Sequence, residues 1–150
     1  MSDRWTPHST VATIVEQDGK FLMIEEISSG QQVVNQPAGH IEQGESVIEA
    51  ACRETLEESR WSVTPTALVG LYVYTSPTNG VTYHRYCFAA DANNYHPDSP
   101  LDAGIIGPRW MTIEELRDCP NLRSPMVLSC VEDYLSGRRY PLTVITEHHA

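Results

Sequence analysis

One segment of this chain has a pattern that only a helix satisfies. From Glu45 to Ser59 the apolar residues Val47, Ile48, Ala51, Cys52 and Leu56 recur at spacings of three and four, and neither Gly nor Pro interrupts them. On an α-helix that period gathers them into one stripe able to pack on a core. Glu45 stands at the expected start and Arg60 at the expected end, where the helix dipole favours a carboxylate and a cation respectively.

Most of the remaining chain alternates with the period of strands. Ser9 to Glu16 and Lys20 to Ile27 are rich in β-branched and apolar residues, and Asp18-Gly19 between them predicts a hairpin. Ser28 to Gln32 reads as a loop, Val33 to Asn35 as a short apolar piece, and Gly39 to Gly44 as a turn. Thr66 to Thr75 and Val81 to Ala90 predict two more strands joined by Ser76 to Gly80. Asp91 to Gly107 has little periodicity and predicts a long loop, followed by a short strand from Pro108 to Met111. Thr112 is the expected cap of a short helix. Ser124 and Pro125 open another that runs to about Ser136 and stops at Gly137. Strands and helices so interleaved predict an α/β domain, a mixed sheet with helices packed on it.

Charge narrows the partners. The formal net charge is -10, and nine of the ten basic residues are Arg, so no basic stretch offers a footprint for a nucleic-acid polymer. An anionic small molecule would need local arginines or cations gathered by carboxylates. No run reaches about 18 apolar residues, so no membrane span is expected. Four cysteines lie scattered, at 52, 87, 119 and 130, without a C-x-x-C pair, and a reduced cytoplasmic protein is the expectation. Met1 to Thr6 and Glu147 to Ala150 read as loose ends.

The helix carries a second pattern. With Glu54 at zero, Glu57 falls at about -60° and Glu58 at about +40°, so the three carboxylates share one arc. Like charges so placed weaken an isolated helix. A hard divalent cation that prefers oxygen ligands would reverse that effect. A solvated acidic face satisfies the same spacing.

The longer stretch GHIEQGESVIEAACRETLEESRW, from Gly39 to Trp61, resembles the signature of the Nudix family. Gly39 is followed after five residues by Glu45, and after seven more by Arg53-Glu54, then Glu57-Glu58, with Trp61 at the closing apolar position. Two positions depart. Thr55 stands where the family has a larger apolar residue. Arg60 stands where a Gly normally ends the helix in a left-handed conformation, so a different helix end is expected. The flanking stretches NQPAGH at 35–40, NLRSP at 121–125 and GRRYPL at 137–142 resemble one bacterial phosphatase type within the family. The likeness spans about Pro7 to Leu142, so a single domain over residues 1–150 is expected. Val34 stands where some relatives have an aromatic.

The resemblance implies the Nudix α/β/α sandwich and Mg²⁺ as cofactor, with Mn²⁺ as a substitute. It implies Gly39, Glu54, Glu57 and Glu58 as metal ligands, with Glu58 as ligand or base. Arg53 orients a glutamate and Glu45 is auxiliary. It implies hydrolysis of nucleoside di- and triphosphates and thiamine-related pyrophosphates with release of phosphate, by a monomer or homodimer. A nucleotide-sanitising enzyme or an ADP-sugar pyrophosphatase is the alternative within the class, and a non-catalytic nucleotide sensor the alternative outside it. Arg85, Arg123 and Arg139 are candidate phosphate contacts, each with a structural ion pair as the competing role. His40 and His84, and Asp98 and Asp102, are weaker candidates for the site. Tyr72, Tyr74 and Tyr83 serve either to stack on a substrate ring or to pack.

Overall fold

The computed structural model describes residues 3–148. Strand β1 (His8–Ile14) is the centre of one sheet. It runs parallel to β7 (Thr82–Tyr95) and antiparallel to β5 (Ala38–His40), and β7 pairs in turn with the edge strand β6 (Trp61–Thr75). The second sheet is antiparallel. Its β3 (Lys20–Ser28) lies between β4 (Gln31–Asn35) and β8 (Ile105–Met111), with the stub β2 (Glu16–Gln17) beside it. Helix α1 (Val47–Ser59) covers one side. Helices α2 (Ile113–Asp118) and α3 (Pro125–Leu135) cover the other. This is an α/β/α sandwich with a mixed sheet.

Alternation along β1 explains the layers. Ala12 and Ile14 point to a core shared with Leu116 of α2 and with Val127 and Val131 of α3. Val11 points the other way, against Ala50 and Ala51 of α1. Thr13 shares that second face, where its hydroxyl meets the Thr55 hydroxyl at 3.0 Å. Thr55 also donates to the Ala51 carbonyl, so the small polar residue at this family-apolar position is fully bonded.

Helix α1 begins later than its pattern predicts. Ser46 caps it, accepting from the Glu49 N–H while Glu49 accepts from the Ser46 N–H. A reciprocal cap of this kind contributes about 1 kcal/mol. Glu45 therefore precedes the helix instead of opening it. The buried face only partly follows the expected stripe: Val47 and Ala51 are buried as expected, Ile48, Cys52 and Leu56 only partly so, and Ala50, Glu54, Thr55, Glu58 and Ser59 are buried besides. Two carboxylates thus lie on the packing face.

Several strand expectations are corrected. Ser9–Glu16 and Lys20–Ile27 do not pair as one hairpin, because β1 leaves for the other sheet and only β2 pairs with β3 across the turn. Asp18 and Gly19 both have positive φ, the geometry of a tight hairpin turn. Val33 to Asn35 extends into β4, and part of the expected 39–44 turn is strand β5. The expected 91–107 loop shrinks to residues 96–104, since β7 runs on to Tyr95 and β8 starts at Ile105. Its partner β6 starts at Trp61, and register shifts near Ser62, Pro65 and Leu68 break the alternation that would have marked it. Val34 lies in the core, not at a substrate ring. Among the described terminal residues, Trp5 packs edge-on to His84 and the Glu147 carboxylate accepts the Val47 N–H. Met1, Ser2, His149 and Ala150 lie outside the described residues. No helix among the described residues is long and apolar enough to cross a membrane.

Arg60 corrects another expectation. It keeps the left-handed turn, with φ 66 and ψ 10, although it is not Gly. Its N–H bonds Leu56 O at 2.9 Å, its Nε donates to Ser99 O at 2.8 Å, and its carbonyl accepts the His96 N–H at 2.7 Å. These bonds offset a left-handed cost of roughly 1–2 kcal/mol. Arg60→Ala should keep the strain and lose the side-chain bond, destabilising the fold by about 1–2 kcal/mol in urea unfolding. Arg60→Gly should recover most of that loss.

Candidate active site

The chain crosses between the two sheets at residues 35–39, passing from the end of β4 to the start of β5. A cavity of about 760 Å³ opens at this seam. Asn35, Ala38, Gly39 and His40, the face of α1, strand β7 and the start of α3 all contribute to its lining.

Glu54 lies directly under Gly39. A Cβ placed on Gly39 would sit on the Glu54 carboxylate, so only glycine lets β5 approach α1 this closely. Glu54 and Glu58 are 8% and 7% exposed and line the cavity. A solvated acidic face is therefore ruled out for these two. Glu58 accepts the Ala38 N–H at 2.8 Å, yet burial pushes its carboxyl up to about 9, reinforced by Glu54, Glu26 and Asp102. Burial also raises Glu54, against the opposing pull of Arg53. Burial first and Asp102 second raise Glu57.

Arg53 organises the cluster. Its Nε and Nη2 bind both Glu45 oxygens at 2.6 and 2.9 Å, and its Nη1 reaches Glu54 at 2.7 Å and Glu57 at 3.1 Å. Nη2 also donates to the His40 carbonyl at 3.0 Å, tying the helix to the end of β5. The Glu45 hydrogen bond leads in raising the Arg53 pKa, so its charge is permanent. Glu45 is thereby committed to Arg53.

A family model described as the NUDIX domain matches residues 6–128. The chain belongs to the Nudix family. Phosphatase NudJ of Escherichia coli (strain K12) is 40% identical over 139 residues, which is 93% of this chain and 90% of that protein. The structure of a Nudix hydrolase from Nitrosomonas europaea matches with a TM-score of 0.93 at 44% identity, covering 95% of this chain and 98% of that one. An Ap4A hydrolase from C. elegans, 19% identical, shares the fold with a TM-score of 0.66 over 87% of this chain and 96% of its own. This chain is a Nudix hydrolase of the phosphatase or pyrophosphatase kind.

The Nudix cluster suits a divalent cation. One carboxylate oxygen each from Glu54, Glu57 and Asp102 lie within 4.8 Å of one another. An all-oxygen donor set fits a hard ion, and carboxyls whose pKa burial and neighbouring carboxylates raise are stabilised in their charged form by a nearby positive charge. Asp102, only a weaker candidate from sequence because loop turn chemistry is its simpler role, is brought to the cluster. Its N–H bonds the Glu57 carbonyl at 3.0 Å, which fastens the 96–104 loop to the helix.

The arginine candidates separate. Arg85 is 5% exposed and lines the cavity; its Nη1 donates to Gln36 at 2.8 Å and its Nη2 to Asn35 at 3.3 Å. Among the described residues no carboxylate lies within ion-pair distance of it. Arg123 also lines the cavity and pairs with Glu26 at 3.0 Å. Arg139 is not brought to the site: its guanidinium lies 3.8 Å from the Tyr134 ring centroid and donates to the Tyr134 carbonyl at the end of α3. Tyr74 and Tyr83, a cross-strand pair, line the cavity, while Tyr72 packs beside the core and bonds Asp133. His40 meets His8 at 2.9 Å on the cavity wall, and His84 sits under Trp5.

Gly39→Ala is expected to displace Glu54 and lower turnover by about 10²-fold while the fold persists by circular dichroism. Asp102→Asn should raise the Mg²⁺ concentration for half-maximal turnover roughly tenfold.

Proposed function

We propose that this Nudix hydrolase cleaves phosphoanhydride bonds of small molecules with Mg²⁺ as cofactor. The substrates are nucleoside di- and triphosphates and thiamine-related pyrophosphates, including hydroxymethylpyrimidine pyrophosphate and thiamine diphosphate, and the product is inorganic phosphate. One observation carries the reading: buried carboxylates and a buried guanidinium lacking a carboxylate partner line one cavity of about 760 Å³. That volume suits a small ligand.

Glu54, Glu57 and Asp102 would hold the cation with the Gly39 carbonyl, and Glu58 would either join them or act as the base. Bound Mg²⁺ supplies Lewis acidity toward phosphoryl oxygens and lowers the pKa of a bound water. Arg53 keeps the glutamates in place. Arg85 and Arg123 receive the phosphate oxygens, which match the fork of a guanidinium. Water adds to phosphorus as the bridging P–O bond breaks, and a proton leaves the water; Glu58 either accepts that proton or serves as a cation ligand. The Tyr74–Tyr83 pair offers apolar faces to the organic part of the substrate. The likeness to phosphatase NudJ supports phosphate release, and the intact set of glutamates supports catalysis over nucleotide sensing.

The test is a phosphate-release panel with and without Mg²⁺ over nucleotides, hydroxymethylpyrimidine pyrophosphate and thiamine diphosphate. Orthophosphate as the main product is expected; dominant release of AMP or pyrophosphate would overturn the reading. Glu58→Gln preserves an acceptor for the Ala38 N–H and should lower the rate by about 10²–10⁴-fold. A rate near that of the native protein would remove Glu58 from its role.

A further inference from the structure

A buried carboxylate outside the metal cluster sits behind the phosphate-binding wall. Glu26, on β3, is 8% exposed and belongs to no part of the glutamate motif. Its Oε2 accepts from Arg123 Nη1 at 3.0 Å and, at 3.5 Å, from Asn35 Nδ2. The Asn35 Oδ1 in turn accepts from Arg85. One chain of contacts therefore links Glu26 to both arginines of the cavity.

The two guanidiniums differ in charge balance. Arg123 is offset by Glu26, whereas the Arg85 amide partners Asn35 and Gln36 carry no charge. Among the described residues, Arg85 is thus the cavity guanidinium that no carboxylate offsets within ion-pair distance. A triphosphate carries about one more negative charge than the diphosphate of the same nucleoside near neutral pH. That added charge meets a wall where the Glu26 carboxylate already offsets the Arg123 guanidinium at 3.0 Å, and interactions across a partly buried wall are only weakly screened.

We propose that Glu26, by taking up the charge of Arg123, is a specificity-determining residue that favours diphosphate over triphosphate chains. This rests on the phosphoanhydride reading of the cavity. Glu26 acts through Arg123 and Asn35, without touching the reacting atoms. It is a positioning residue whose charge also counts.

Glu26→Gln keeps an oxygen for Arg123 and Asn35 while removing the charge. The expected result is a rise of about fivefold to tenfold in the kcat/KM ratio of triphosphate to diphosphate, measured with one nucleoside at saturating Mg²⁺ and read mainly in KM. Arg123→Met leaves Glu26 uncompensated and should move the ratio the other way. A purely structural role would scale both substrates alike. An unchanged ratio in either folded variant overturns the inference. Failure of the native protein to turn over either nucleotide would instead overturn the phosphoanhydride reading itself.

Discussion

Placing carboxylates on the packing face of a helix costs folding free energy, and α1 does so at Glu54 and again at Glu58. Burial disfavours the charged form of both, and nearby groups give partial help against it. Help comes from Arg53, which touches Glu45, Glu54, Glu57 and the His40 carbonyl at once. It comes also from the Ala38 N–H at Glu58. The residual imbalance, seen in the raised carboxyls, is what a divalent cation relieves. The fold and the chemistry are therefore linked at one contact, where β5 is stripped to glycine so that a carboxylate can lie against its backbone.

The topology puts this contact where a ligand can reach it. Strand β1 leaves its apparent hairpin partner for the other sheet, and β4 hands the chain to β5 in the reverse direction. Two crossings between sheets leave a seam that side chains of both sheets and two helices line. Asn35 and Gln36, which the crossing carries inward, hold Arg85 by neutral amides in a place where a carboxylate would have cancelled it.

Much of this was legible in the sequence. The helix was visible because the three-to-four spacing of its apolar residues marks it, and the glutamates because their distances from Gly39 and Arg53 are those of a known family. Other features were hidden for physical reasons. Hydropathy marks Val47 and Ala51 as inner residues, and they are, but it also marks Ile48, Cys52 and Leu56 and does not mark Glu54 and Glu58, which lie against Gly39 and Ala38 of β5. The long strands β6 and β7 were shortened in the reading because bulges near Pro65 and Leu68 upset the alternation. Asp102 reaches Glu57 only through the folded loop, and Arg60 holds a glycine-like turn through bonds to Ser99 and His96 that no local pattern announces.

Those last bonds alter the character of the 96–104 segment. Surface connections of this kind usually open independently of the elements beside them, and their amides exchange with solvent quickly. Here the His96 amide is held by Arg60 and the Asp102 amide by Glu57, both in the final turn of α1. Protection of these two amides is set by fraying of the helix terminus, so the segment and the last turn of α1 form one cooperative unit. A disturbance at either end of that unit reaches Glu54, Glu57 and Glu58 without passing through the core.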